Sequence, residues 1–283
     1  LLLRAFSNHY GAELFLTPGD GTGLTLIADI ETAPTSIGSF PVDLHPVDGD
    51  YALFACKPDH DGVTLYRYDA GSGATELGDV YAQLDEEHAL TVMLDGSQVT
   101  LFRVFDKEGS SLWRTDGTTA GTSPIATNPG GGFYARLFCH DAPGDRVFFS
   151  GSDGDTGHEL WLTDGATAGT TLVHDITPGS SSSYPGELTM LGQQVVFAAE
   201  DATGGRELWS SDGTSAGTQR LTAAHPLPGS KPAALVRAGD LVFFTADDTA
   251  HGREPWVSDG TAQGTFMLAD LDPGPADSMN ALW

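Results

Sequence analysis

The stretch GRELWSSDGTSAGT, residues 205–218, recurs in near-copy as GHELWLTDGATAGT from Gly157 and GREPWVSDGTAQGT from Gly252. So long a phrase repeated in one chain marks a repeated structural unit, and its period decides the fold. Aligned on the aromatic residue of ELW, equivalents fall at Phe15, Tyr66, Trp113, Trp161, Trp209 and Trp256, at spacings of 51, 47, 48, 48 and 47 residues. A leucine gives a second landmark at Leu44, Leu90, Leu137, Leu188, Leu235 and Leu282. Six such units use up the 283 residues, so a single domain over 1–283 is expected.

The interior of one unit is strand-like throughout. GELTML is a short alternating strand, QQ a turn, VVFAA an apolar β run, EDATGG a polar loop, RELWSS a third strand, DGTSAG a turn and TQRLTA a fourth strand. No stretch carries a helical period. Four antiparallel strands per repeat predict an all-β fold, a six-bladed β-propeller, in which radial repetition protects the sheet edges. A β-solenoid or an open array of small sandwiches would also repeat, but solenoid coils are usually shorter. The two ends fit closure of a ring: SMNALW at the C-terminus matches a first strand, and LLLRAF, AELFLT and LTLIAD match a second, third and fourth. The first blade is therefore expected to be closed by N- and C-terminal strands together.

On this reading the phrase is scaffold. Trp161, Trp209 and Trp256 fill the space between blades, where a large flat side chain buries most area. Asp164, Asp212 and Asp259 accept backbone N–H bonds at the hairpin, and Gly165, Gly213 and Gly260 take a positive φ. Glu159, Glu207 and Glu254 recur with the tryptophan and are read as structural too.

ELWLTDGATAGT, ELWSSDGTSAGT and EPWVSDGTAQGT resemble the ELWxxDGT repeat family, units found in large secreted or surface proteins of myxobacteria and other bacteria. SLWRTDGTTAGT from Ser111 matches well; ELFLTPGDGTGL and LYRYDAGSGATEL match loosely. The hairpin is also similar to the Asp-box turn of sialidase-type propellers, without that motif's residue between Asp and Gly. The resemblance implies repeat architecture and an extracellular, periplasmic or cell-surface setting. It implies no defined reaction.

Composition narrows the partners. With 39 acidic against 13 basic residues the formal charge is −26, a surface that repels nucleic acid and anionic membrane. Lysine occurs only at Lys57, Lys107 and Lys231. Cys56 and Cys139 lie in apolar strand-like stretches without zinc-type spacing, so buried free thiols are expected. No apolar run approaches the roughly 18 residues of a membrane span, and membrane insertion is not expected. LLLRAF is too short for a signal segment, and the chain lacks an initiator Met, which suggests a trimmed product.

Chemistry is expected on the loops between second and third strands, carried by a rigid scaffold. Five of these six loops hold two acidic residues each. SDGDTGHE places Asp153, Asp155 and Glu159 in a D-x-D-x-x-x-E spacing that offers oxygen ligands to calcium, although it is not an EF-hand. His9, His60, His158 and His251 fall in these loops, and His88 enters a first strand near the same end. With Asp59, Asp61, Glu86 and Glu87 they could bind copper, zinc or iron, or act as acid and base, which makes His9, His60 and His88 the catalytic candidates. No G-x-S-x-G, H-E-x-x-H or phosphate-cradling loop is present. Two functions follow, beside a third reading as a purely structural repeat segment of a larger surface protein. One is a binding module that recognises a carbohydrate, protein or small-molecule ligand on an acidic loop face with calcium assistance. The other is a metal-dependent hydrolase or lyase at the channel mouth.

Overall fold

Each repeat folds as an antiparallel meander in the computed structural model, which describes residues 2–7, 11–16, 23, 25–28, 41–47, 51–56, 63–80, 82–83, 88–106, 109–127, 132–141, 145–203, 205–222, 229–248, 250–271 and 273. The chain divides into two compact units, Leu1–Val92 with Gly96–Gly130 and Gly131–Trp283 with Met93–Asp95.

Among the described residues the first unit carries three sheets. β1 (Leu2–Ser7), β2 (Gly11–Leu16) and β3 (Thr25–Ala28) form the first, and β4 (Val42–Val47), β5 (Tyr51–Cys56), β6 (Thr64–Asp69) and β7 (Gly73–Gly78) the second. The third contains β8 (Ala82–Gln83), β9 (Ala89–Leu94), β10 (Ser97–Asp106), β11 (Gly109–Thr115) and β12 (Ser123–Thr127). It has five strands where four were expected, because β10 is ten residues long and pairs with both β9 and β8.

Among the described residues the second unit carries three sheets of four strands. They are β13 (Tyr134–Asp141), β14 (Arg146–Ser152), β15 (Glu159–Thr163) and β16 (Thr171–His174); β17 (Gly186–Leu191), β18 (Gln194–Glu200), β19 (Arg206–Ser211) and β20 (Gln219–Arg220); and β21 (Ala233–Ala238), β22 (Leu241–Asp247), β23 (Arg253–Ser258) and β24 (Phe266–Met267). Among the described residues the one helical turn is a 3-10 turn at Thr167–Gly169. The expected closing strand, SMNALW, lies outside the described residues.

The aromatic landmark holds its register. Tyr66, Trp113, Trp161, Trp209 and Trp256 each stand opposite a phenylalanine, Phe54, Phe102, Phe149, Phe197 and Phe244, while Phe15 stands opposite Leu3. The leucine landmark slips once. A bulge in each of β4, β13, β17 and β21 puts Asp43, Leu137, Glu187 and Ala234 at φ of 50, 58, 57 and 55°. Leu44, Leu188 and Leu235 follow that residue, but Leu137 occupies it, so Phe138 takes the leucine's place in the fourth sheet.

Successive sheets of the second unit pack face to face. Side chains alternate along a strand, so Val195, Phe197 and Ala199 of β18 meet Phe148, Leu160, Val173 and Ile176 of the fourth sheet. Val196, with Leu208 and Leu221, meets Val242, Phe244, Ala246 and Trp256 of the sixth. This is why VVFAA is continuously apolar. The corresponding outer positions of the sixth sheet, Phe243, Leu268 and Leu271, are 38, 48 and 61% exposed. In the first unit the second and third sheets pack in the same way, through Leu53, Leu65, Leu77 and Val80 against Phe102 and Val104.

The DGT part of the phrase is a hydrogen-bonded lock. In the fifth sheet the Asp212 carboxylate accepts from the Thr214 amide at 2.8 Å and its hydroxyl at 2.7 Å. The Thr214 hydroxyl oxygen accepts from the Gly217 amide, and its carbonyl accepts from the Thr218 hydroxyl. Ser211 Oγ accepts from the Gly213 amide and pairs with Thr218 Oγ1 at 2.8 Å. The same bonds recur around Asp116 and Asp259. Gly213 is required at φ 92°. Gly217 is required because a Cβ there would fall within the Asp212 carboxylate. Where Ala166 replaces the threonine, the hydroxyl bonds disappear and the 3-10 turn closes the hairpin.

The glutamates are staples between sheets. Glu159 is fully buried and accepts from the Ile176 amide, Thr177 Oγ1 and both the amide and hydroxyl of Ser183, in the segment that leads into β17. Glu207 accepts from Thr222 Oγ1 at 2.6 Å, Ser230 Oγ at 2.5 Å and the Ser230 amide at 3.3 Å, ahead of β21. Buried carboxylates persist only when satisfied in this way.

Candidate functional site

Of the residues singled out from the sequence, Asp153, Asp155, Glu159, His88 and His251 are described. His9 and His60 lie outside the described residues, as do Asp59, Asp61, Glu86 and Glu87. His88, in the first unit, is half-buried at the start of β9, where its carbonyl accepts from the Arg103 amide. His251, in the second unit, bonds through Nδ1 to Asp248 Oδ2 at 2.6 Å. That bond, opposed by desolvation and helped by the nearby carboxylate charge, raises the imidazole pKa.

Asp153 closes a turn by accepting from the amides of Asp155 and Thr156 and from the Thr156 hydroxyl. Burial works to raise its pKa, but these bonds prevail and hold the carboxyl below its ordinary value. Asp155 is exposed. The calcium spacing is not used as one set, because Glu159 turns inward to Ser183. Among the described residues no group of three or more His, Cys, Asp or Glu is disposed to hold a metal.

A different constellation lies between the fifth and sixth sheets. A cleft of about 500 Å³ is lined by Glu187, Glu200, Arg206, Lys231, Pro232, Ala233 and Arg253. β19 and β23 supply Arg206 and Arg253 from one position of the phrase, immediately before its glutamate. Arg206 faces Glu200 across the β18–β19 ladder and donates from Nη1 to the Tyr184 carbonyl at 2.9 Å. Desolvation lowers its pKa while Glu200 and Glu187 counteract it. Arg253 donates to Thr245 Oγ1 at 2.9 Å and to the Lys231 carbonyl at 3.0 Å. Lys231 is exposed and its backbone is held at φ 44° by its amide's bond to the Arg206 carbonyl at 2.9 Å. Three cations and two carboxylates converge, in a chain that carries only 13 basic residues.

One repeat earlier, the position of Arg206 is held by His158 and that of Lys231 by Tyr184. These rings are stacked, with centroids 5.9 Å apart and planes at 23°. The Tyr134 ring centroid lies 6.1 Å from that of the imidazole with the planes at 54°, and Tyr184 is 47% exposed. Arg206 and Arg253 stand inside the repeated phrase, which reads as scaffold. The signal was there in the contrast between a fixed ELW and the changing residue before it, His158, Arg206 and Arg253.

No family model matches the chain, and no curated protein matches it. Among solved structures, oligopeptidase B from Leishmania major is 12% identical over 92% of this chain and 40% of its own, with a TM-score of 0.51. A puromycin-hydrolyzing peptidase of Mycobacterium tuberculosis is 11% identical over 82% of this chain and 38% of its own, with a TM-score of 0.50. TolB from Acinetobacter baumannii is 12% identical over 93% and 61%, with a TM-score of 0.40. The chain thus spans about two fifths of the length of the two peptidases. The likeness to them is one of fold, and the fold is β-propeller-like.

Proposed function

We propose that the chain is a ligand-binding β-propeller module, an ELWxxDGT-type repeat protein of the cell exterior that holds a carbohydrate or protein at the strand ends of its repeats. The observation that carries the reading is the charged cleft of Arg206, Lys231, Arg253, Glu187 and Glu200. It sits where each third strand begins, so a rigid β scaffold fixes its groups in advance of binding. The proposed ring has six blades over 1–283. What supports it is the apolar outer face of the last sheet, which leaves Phe243, Leu268 and Leu271 to be covered by a further sheet.

The test is binding of the labelled whole chain to immobilised glycans and secreted proteins, with and without chelator to probe calcium assistance. Saturable binding that Lys231→Glu weakens at an unchanged melting temperature is expected. Binding that ignores substitution at Lys231, Arg206 and Arg253 would refute the cleft as the ligand site.

A further inference from the structure

The cleft and the stacked rings are the same place in consecutive repeats. Moving back one repeat turns Arg253 into Arg206, Arg206 into His158, Lys231 into Tyr184 and Glu200 into Ser152. Arg206 is therefore common to both positions: it belongs to the charged cleft and also grips the backbone of Tyr184. Resting on the binding reading above, we infer that these two positions are adjacent subsites for a carboxylated sugar chain, with a uronic acid unit in the cleft and a neighbouring ring on Tyr184.

The charge balance selects the anion. Two guanidiniums and an ammonium against two carboxylates leave one formal positive charge, which suits a monoanion and disfavours a phosphate dianion beside Glu187 and Glu200. Guanidinium groups match the two oxygens of a carboxylate. The carboxylates of Glu187 and Glu200 then accept from sugar hydroxyls, since an ionised carboxylate offers only acceptors. Glu187 Oε2 already accepts from the Leu235 amide at 3.2 Å, so its Oε1 is the oxygen offered to a hydroxyl. The half-exposed face of Tyr184, backed by His158, offers a flat apolar surface of the kind on which the C–H face of a pyranose lies. A strongly acidic chain would repel a polyanion at large, so attraction has to be local and is screened by salt.

The whole chain would be titrated calorimetrically with galacturonate, tetragalacturonate, its methyl ester, an acidic peptide with a free C-terminal carboxylate, and inorganic phosphate. Tetragalacturonate should bind, with the methyl ester weaker by about tenfold or more, the scale of a lost charge-assisted pair. Lys231→Glu should remove binding of both galacturonates. Tyr184→Ala should weaken the tetramer and leave the monomer unchanged, a split that general unfolding would not produce. Equal binding of acid and methyl ester, or phosphate competing as well as galacturonate, would overturn the carboxylate inference while leaving a binding module in place. Peptide binding without sugar binding would overturn the sugar and keep the cleft. No binding of any of the five, together with blank glycan and protein surfaces, would remove both readings.

Discussion

Replacing Gly217 by alanine should be costly only while Asp212 is present. A Cβ at residue 217 would occupy the space of the Asp212 carboxylate, so the side chain must swing out and lose its bonds to the Thr214 amide and hydroxyl. Hydrogen bonds to an ionised group contribute about 1.5–3 kcal/mol each when buried, and Asp212 is exposed, so the pair is worth about 1–2 kcal/mol in total. Gly217 has no positive φ to protect, and an alanine at a compatible position stabilises by about 0.4–1 kcal/mol through the unfolded chain. Gly217→Ala should therefore destabilise by about 1 kcal/mol. In an Asp212→Ala background it should be neutral or stabilising, a coupling of about 1–2 kcal/mol. Urea unfolding followed by tryptophan fluorescence reads all four corners of the cycle. An equal cost in both backgrounds would mean that the second glycine of the phrase serves the backbone and not the carboxylate.

The same turns give the chain a pH signature. Asp116, Asp212 and Asp259 are held below their ordinary value of 3.8, chiefly by threonine hydroxyls. Their stabilisation is present above that value and is lost as pH falls through the lower folded-state values. Acid unfolding should accordingly lose steepness when all three become alanine. Removing the staple by Glu207→Ala strands the donors of Ser230 and Thr222 and should cost about 3 kcal/mol, whereas the exposed Glu187→Ala should change urea stability little; equal costs would deny the staple. Ala234→Gly should stabilise by about 0.5–1 kcal/mol by relieving a left-handed residue, and a loss in the same titration would contradict the bulge. Cys56 is buried, and burial pushes the Cys139 thiol up to about 11. Neither should react with a thiol reagent at pH 8 until the chain is unfolded, which a timed absorbance assay would reveal.

Local chemistry made most of the strands legible. The aromatic landmark, the Asp-Gly hairpin and the structural reading of the glutamates all follow from positions within one repeat. What escaped depended on distant partners. Nothing near Glu159 names Ser183, 24 residues on, as its partner, and a D-x-D-x-x-x-E spacing cannot tell that strand alternation turns its last member inward. Leu137 looked like its relatives because a bulge displaces a landmark without altering composition. The cleft joins side chains from Glu187 to Arg253, and only the fold brings them together. Its sole trace in the sequence is a position where the copies disagree.

The partly exposed outer positions of the sixth sheet, Phe243, Leu268 and Leu271, bear on assembly. Each outer face in the second unit is complementary to the inner face of the next sheet, and not to itself. Such a contact is head-to-tail, and head-to-tail contacts propagate unless the rotation closes them. Left uncapped, Phe243, Leu268 and Leu271 would accept the inner face of another molecule.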